Sequence, residues 1–266
     1  MIINKICEIR DLVKKQKPLI HCITNPISIN QCANAILSLG AKPIMAEHPK
    51  EVSEITFTSD ALMLNIGNIT DARMESIMLS MDTAKEKNIP VLLDVVGIAC
   101  SNFRRKYVLN LLNKSIPSVI KGNYSEIKAL YDKEYYSQGV DAEPSVDEDN
   151  ITQVATKLAK KYNTVILATG KTDVITDGKR IVYVKNGTPE LASVTGTGCM
   201  LGSLCTAFMS SATPMDASIA ACCYFGICGE LSKTDNGNGS FMVNLMDKFS
   251  TLGREEILKQ LNLEEI

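Results

Sequence analysis

Short apolar, β-branched runs, each followed by a segment with helical character, recur through the first two thirds of this chain. That alternation limits the folds open to it. Leu19 to Thr24 reads as a strand, and Asn25 with Pro26 supplies an N-cap and first residue for a helix ending near Gly40. Pro43 to Ala46 and Ala61 to Ile66 read as a second and a third strand. A turn at Gly67 and Asn68 precedes a helix from about Asp71 to Lys87, with Met74, Ile77, Met78 and Met81 at helical spacing. Pro90 to Val96 is a strongly apolar fourth strand, and Ser118 to Lys121 a fifth, with a helix starting just after Asn123. A helix from about Asn150 to Tyr162 leads into Thr164 to Ala168. Strands separated by helical crossovers run parallel, so the pattern predicts a mostly parallel sheet covered by helices on both faces.

The remainder differs. Val174 to Thr176 and Arg180 to Val184, joined through Asp177-Gly178, predict a hairpin at one edge of the sheet. The last third is helical, most clearly at Ala217 to Leu231 and Phe241 to Phe249. Residues 134 to 149, rich in Tyr, Ser, Asp and Glu, predict one long loop of the kind that forms a surface excursion or a lid. Nothing reads as a linker, so 266 residues are expected to build a single domain.

A formal net charge of -2 and the lack of a basic stripe argue against a nucleic-acid partner. Lys14, Lys15 and Lys17, stopped by Pro18, mark the end of a short N-terminal helix. Residues 1 to 17 mix charges with apolar positions and lack a signal-peptide core, and no apolar run reaches membrane-spanning length. Nine cysteines, an odd number set mostly in apolar helical runs, fit reduced thiols and a cytoplasmic location better than disulfides. Cys222, Cys223 and Cys228 lack the histidines or second Cys pair of a metal site.

In open parallel sheets ligands bind beyond the carboxyl ends of the strands, and polar or glycine residues stand at nearly all of them here. The most informative is Val194-Thr195-Gly196-Thr197-Gly198-Cys199, which runs into an apolar helix-like segment from Met200 to Ser210. Its glycines let backbone N–H groups converge at a helix N-terminus, where unpaired donors and the macrodipole attract an anion such as phosphate. Cys199 follows in the first turn, where that field favours thiolate and suits a base or nucleophile; the spacing equally fits a small buried cysteine after a glycine turn.

Asp94, near the end of the most apolar strand, and Glu126, in Gly122-Asn123-Tyr124-Ser125-Glu126, are hard oxygen donors suited to Mg²⁺ beside phosphates. Glu126 also fits a capping-box partner of Asn123. His21 and His48 are the only histidines. Paired with a cysteine, His21 would suit acyl-transfer chemistry, but a sheet histidine more often serves as a hydrogen-bonded structural group. No Walker-type phosphate loop is present.

The ordered set Pro18-Leu19-Ile20-His21-Cys22-Ile23-Thr24-Asn25, Leu39-Gly40-Ala41-Lys42-Pro43-Ile44-Met45-Ala46, Leu64-Asn65-Ile66-Gly67, Leu93-Asp94-Val95-Val96-Gly97, Lys121-Gly122-Asn123-Tyr124-Ser125-Glu126-Ile127 and Thr195 to Cys199 resembles the hydroxyethylthiazole kinases, from about Leu19 to Leu245. The resemblance implies a ribokinase-like three-layer α/β sandwich that phosphorylates 4-methyl-5-(2-hydroxyethyl)thiazole with ATP and Mg²⁺ in thiamine synthesis or salvage. It implies an anion hole at Gly196, Thr197, Gly198 and Cys199, with Cys199 where many ribokinase relatives carry an aspartate base. Asn25, Met45, Gly67 and Gly196 are implied for thiazole, Lys121, Asn123, Thr169 and Gly170 for ATP, and Asp94 and Glu126 for Mg²⁺. A homotrimer with sites between subunits is implied as well.

The chain departs from the family at Lys121, usually arginine, at Val95, usually proline, and at Asn238, often proline. Lysine offers a point charge where arginine offers a planar fork. Other readings are a kinase of hydroxymethylpyrimidine or pyridoxal, a nucleotide-dependent repair dehydratase on the same fold, a Cys-dependent hydrolase needing no nucleotide, and a noncatalytic nucleotide sensor.

Overall fold

The computed structural model describes residues 2–132, 134–135 and 147–266, with backbone alone at 2 and 3. In chain order come α1 (Ile2–Gln16), β1 (Leu19–Ile23), α2 (Ile29–Leu39), β2 (Lys42–Ile44), α3 (Val52–Phe57), β3 (Ala61–Asn65) and α4 (Asp71–Lys87). Next are β4 (Val91–Asp94), α5 (Asn102–Lys114), β5 (Val119–Asn123), α6 (Tyr124–Tyr131), α7 (Glu148–Tyr162), β6 (Val165–Thr169), β7 (Asp173–Thr176) and β8 (Ile181–Val184). A 3-10 turn at Pro189–Ser193 leads to α8 (Thr197–Met209), α9 (Pro214–Leu231), α10 (Asn238–Thr251), α11 (Arg254–Gln260) and β9 (Leu263–Glu265).

The described strands join one sheet in the order β2-β1-β3-β4-β5-β6-β7-β8-β9. The first six are parallel and the last three antiparallel. Alternate residues of a strand face opposite sides, so each strand feeds two cores. Met63, Leu92 and Val119 pack with Leu39 of α2, Met200, Leu204 and Phe208 of α8, and Tyr224 of α9. Their neighbours Leu64, Leu93 and Ile120 pack with Ile77, Val108, Ile127 and Leu158 of α4 to α7. The result is the expected three-layer α/β sandwich.

Several boundaries differ from the sequence reading. Asn25 and Pro26 do not open a helix: α2 begins at Ile29 with Ser28 at its N-cap, while the Asn25 side chain turns toward other strand ends. The second strand is Lys42–Ile44, leaving Met45 and Ala46 beyond it, and the fourth stops at Asp94, where Val95 turns to accept a bond from the Ile98 amide. Helix α7 starts at Glu148, α9 at Pro214 behind a Thr213 cap, and α10 at Asn238. The hairpin is β7 and β8, but β9 from the chain's end pairs with β8 and takes the sheet edge. Short elements α3, α11 and β9, and the longer α5, carried too little periodic signal to be read. Most of the expected loop at 134 to 149 lies outside the described residues.

Candidate active site

Strand register sets three polar side chains in a row at the carboxyl end of the sheet. Asn65 of β3 stands opposite Asp94 of β4, which stands opposite Lys121 of β5. Each follows by two positions a residue of the α8-side core, Met63, Leu92 or Val119, so the row faces α8. Lys121 Nζ donates to Asp94 Oδ2 at 3.0 Å, and Asn65 Nδ2 donates to the same oxygen at 3.2 Å. Asp94 is 1% exposed and Lys121 4%, yet Asp94 Oδ1 has no hydrogen-bond partner among the described residues. Burial pushes the Asp94 carboxyl above its usual range, against the pull of Lys121. Burial works against the Lys121 ammonium too, but Asp94, with Cys199 and Glu126 around it, raises the net value.

The N-terminus of α8 lies over this row. Gly196 sits at φ +89°, a left-handed turn that suits glycine and swings the chain into the helix. The Met200 amide makes the bond to Gly196 O, at 2.9 Å, so the amides of Thr197, Gly198 and Cys199 precede the intrahelical ladder. Thr197 Oγ1 donates to Leu191 O at 2.8 Å and ties the turn to the preceding 3-10 segment. A Cβ at Gly198 would lie 3.7 Å from Lys121 Nζ, which sets the ammonium beside the amide cluster. One turn on, a Cβ at Gly202 would meet Met63 Cε at 2.9 Å and Asp94 Oδ2 at 3.5 Å, so glycine there lets α8 lie directly on the sheet.

Cys199 is 9% exposed. Its sulfur accepts from Asn25 Nδ2 at 3.2 Å and Asn65 Nδ2 at 3.3 Å. Contrary to the thiolate expected from the helix terminus, burial and then the Asp94 carboxylate push its thiol upward, with Ser28, Lys121 and Asn25 opposing. Desolvation inside the sandwich is the largest of these influences.

Of the residues expected to meet substrate, Asn25 and Gly67 come together at the topological switch, where the chain leaves β1 toward β2 and returns to β3 on the other flank. The Gly67 amide donates to Asn65 Oδ1 at 2.8 Å, and a Cβ on Gly67 would lie 3.2 Å from Asn25 Nδ2. Arg73 of α4 clamps this turn, donating to Gly67 O at 3.1 Å and Asn68 O at 2.7 Å. Met45 follows β2, the neighbour of β1, and packs half-buried on the α8-side core.

On the other side, Thr169 of β6 stands opposite Asn123 of β5 and donates to Gly122 O at 3.4 Å. Two expected nucleotide contacts are already engaged within the chain. Asn123 Oδ1 caps α6 through the Glu126 amide at 2.8 Å, and the Gly170 amide donates to Asp173 Oδ1 at 3.1 Å. Glu126 is likewise the capping-box partner: Oε2 accepts from the Asn123 amide and Oε1 from the Gly97 amide, each at 2.7 Å. Burial and then Asp94 push its carboxyl up to about 7, with those two amides opposing. His21 is hydrogen-bonded through both ring nitrogens, to Thr56 Oγ1 and Ala46 O, and points to no cysteine. No group of three or more His, Cys, Asp or Glu able to hold a metal occurs among the described residues, the Cys222 cluster included.

Sequence reading named neither Asn65 nor Ser28 as a site residue. Asn65 closes an otherwise apolar five-residue strand, a signal available from the sequence. Ser28 is fully buried beside Gly196, where a Cβ would lie 3.2 Å from its own, and only the fold makes that visible.

A sequence model described as the Hydroxyethylthiazole kinase family matches residues 11–255. The chain belongs to the hydroxyethylthiazole kinase family. It is 44% identical over 263 residues to Hydroxyethylthiazole kinase 2 of Clostridium botulinum strain Hall, covering 96% of this chain and 98% of that one. It is 38% identical over 265 residues to the Hydroxyethylthiazole kinase of Finegoldia magna, covering 100% and 98%. The solved hydroxyethylthiazole kinase of Pyrococcus horikoshii superposes with a TM-score of 0.91 at 33% identity, covering 98% of each chain. A Staphylococcus aureus pyridoxal kinase solved with AMP-PCP and pyridoxal matches at a TM-score of 0.66 and 13% identity over 94% of this chain and 98% of that one, which shows a shared fold. Family membership makes the chain a kinase and favours a thiazole alcohol over the pyridoxal, dehydratase and hydrolase readings. No helix among the described residues is long and apolar enough to cross a membrane.

Proposed function

We propose that this site transfers the terminal phosphoryl group of ATP to the hydroxyl of 4-methyl-5-(2-hydroxyethyl)thiazole, in thiamine synthesis or salvage. The observation that carries the reading is the buried row Asn65, Asp94 and Lys121 beneath the open amides of α8, with the Cys199 sulfur beside it. Phosphoryl transfer needs little covalent help from a protein, and positioning with charge stabilisation dominates. The amides of Thr197, Gly198 and Cys199 receive the migrating phosphoryl oxygens, and Lys121 adds a full positive charge from below. Asn25 and Gly67 hold the alcohol at the switch point, with Met45 against its ring. Thr169 and Gly170 bound the nucleotide side, where their backbone and hydroxyl are nearest the exposed end of β6.

The raised thiol gives Cys199 an orienting role, holding the substrate hydroxyl toward phosphorus. In a loose transition state the hydroxyl proton leaves late, so a strong base is not required. The unpartnered, buried Asp94 Oδ1 fits a Mg²⁺ contact. Glu126, whose oxygens each accept a main-chain N–H, fits an outer position reached through water. Held there, the ion would supply charge neutralisation for the phosphates. A protein donor set this small suits an ion whose shell is completed by water and phosphate.

A homotrimer with shared sites is part of the proposal. Ile27 and Leu37 at α2 and Val243 on neighbouring α10 are more than half exposed, apolar, and suited to a subunit contact. The nine cysteines form no disulfide among the described residues, which supports a cytoplasmic location. The test is ADP release measured at fixed Mg²⁺ with and without hydroxyethylthiazole. Release that depends on the alcohol supports the reading, and release unaffected by it contradicts it.

A further inference from the structure

Asn65 has every hydrogen-bonding valence of its amide committed. Oδ1 accepts from the Gly67 backbone amide at 2.8 Å and from Asn25 Nδ2 at 3.3 Å, and Nδ2 donates to Asp94 Oδ2 at 3.2 Å and to Cys199 Sγ at 3.3 Å. The amide orientation is unambiguous, because the atom facing a main-chain N–H must be the oxygen and the atom facing a carboxylate must be the nitrogen. Asn65 is wholly buried, at the last position of β3 beside the Asp94 strand end. It therefore touches the substrate turn, the carboxylate and the sulfur at once, and no other described residue hydrogen-bonds all three.

We infer that Asn65 is a positioning residue for the transfer reaction, whose donor half fixes Cys199 and Asp94 relative to each other and whose acceptor half holds the Gly67 turn against Asn25. The inference rests on the proposed phosphoryl transfer and extends it. The two halves have separable consequences. Gly67 and Asn25 belong to substrate binding, so the acceptor half bears on KM for the thiazole. The sulfur and the carboxylate face the reacting hydroxyl and phosphate, so the donor half bears on kcat. Sulfur is a weak acceptor on a rotatable bond, and two amide donors converging on it hold one rotamer where a lone cysteine would sample several.

The experiment is steady-state kinetics on Asn65→Asp and Asn65→Ala, each in wild type and in Cys199→Ala, with circular dichroism melting to establish that each variant is folded. Asn65→Ser replaces either variant that does not fold. Asn65→Asp keeps the oxygen that Gly67 and Asn25 reach but replaces the donors, so kcat is expected to fall at least ~30-fold with thiazole KM within ~3-fold of wild type. Asn65→Ala releases the turn as well, so KM rises in addition. In the Cys199→Ala background, Asn65→Ala is expected to cost at least ~10-fold less in kcat than in wild type, since groups that act as a unit are not multiplicative. Wild-type kcat in folded Asn65→Asp, or equal cost of Asn65→Ala in both backgrounds, overturns the positioning role. Wild-type enzyme that does not phosphorylate the thiazole alcohol instead sinks the transfer reading, and the two failures are distinct.

Discussion

Two buried polar regions lie one strand apart and are built in opposite ways. On β1, His21 is fully enclosed, and its two ring nitrogens bond Thr56 Oγ1 and Ala46 O, each at 2.9 Å, so nothing is left for a ligand. Across β3 to β5, the row Asn65, Asp94 and Lys121 is just as buried, yet one carboxylate oxygen has no partner, and the row opens onto the amides of α8. Burying a polar group without compensation costs free energy, so a region that tolerates it is organised around something other than stability. Here the satisfied imidazole anchors the fold, and the unsatisfied carboxylate oxygen faces the helix end proposed to receive phosphate.

The sharpest way to break the contrast is to neutralise the row. Asp94→Asn should lower kcat/KM by about 10³ or more, because it removes the carboxylate charge proposed to hold Mg²⁺ beside the phosphates. It should also cost about 3 kcal/mol of stability by leaving the Lys121 ammonium buried without its counter-charge. Asp94→Asn combined with Lys121→Met should regain most of that stability and none of the activity. Chemical denaturation and the ADP assay on both variants read the two quantities separately. Recovery of activity in the double variant would place the site's charge elsewhere.

Glu126 sharpens the comparison because it is satisfied like His21 yet acidic like the row. Its carboxyl is raised to about 7 in the folded chain, against an ordinary value near 4.5. The folded state therefore holds the proton more tightly, so this contribution is present below about pH 4.5 and is lost as pH rises through about 7. The stability of wild type relative to Glu126→Gln should fall across that window by on the order of 3 kcal/mol. Denaturation at a series of pH values measures it, and a gap that does not narrow with pH contradicts the buried carboxyl.

His21 predicts the opposite slope and the smallest effect. Burial lowers its pKa, so its contribution is present above about 6.5 and is lost as pH falls below that value. His21→Ala should cost about 2 kcal/mol at neutral pH through the lost bonds and the space left behind, with kcat within about twofold of wild type. A large fall in kcat at full stability would make His21 a site residue.

Much of this architecture is legible in the sequence. The alternation of strands and helices gives the parallel sheet, and strand-end positions such as Asp94, Lys121 and Gly67 come from period-two patterning with turn residues. What escaped has physical causes. Asn25 precedes a proline, the ordinary sign of a helix start, but its side chain bonds Cys199 and Asn65 across 174 and 40 residues of sequence, and tertiary bonds overrode the local cap. The direction of the Cys199 shift depends on how deeply α8 beds onto the sheet, which Gly202 allows and spacing alone does not reveal. Glu126 presented two readings in one motif, and the capping bond with Asn123 and the bond from the distant Gly97 amide define its direct contacts. Strand β9 is three residues long and pairs with β8, far away in sequence, so no local pattern announced it.

The most direct measurement is a crystal structure with a non-hydrolysable ATP analogue, Mg²⁺ and hydroxyethylthiazole. The account predicts the terminal phosphate within hydrogen-bond distance of the amides of Thr197, Gly198 and Cys199, with the thiazole hydroxyl between that phosphate and Cys199 Sγ. A terminal phosphate bound away from the start of α8 would contradict it.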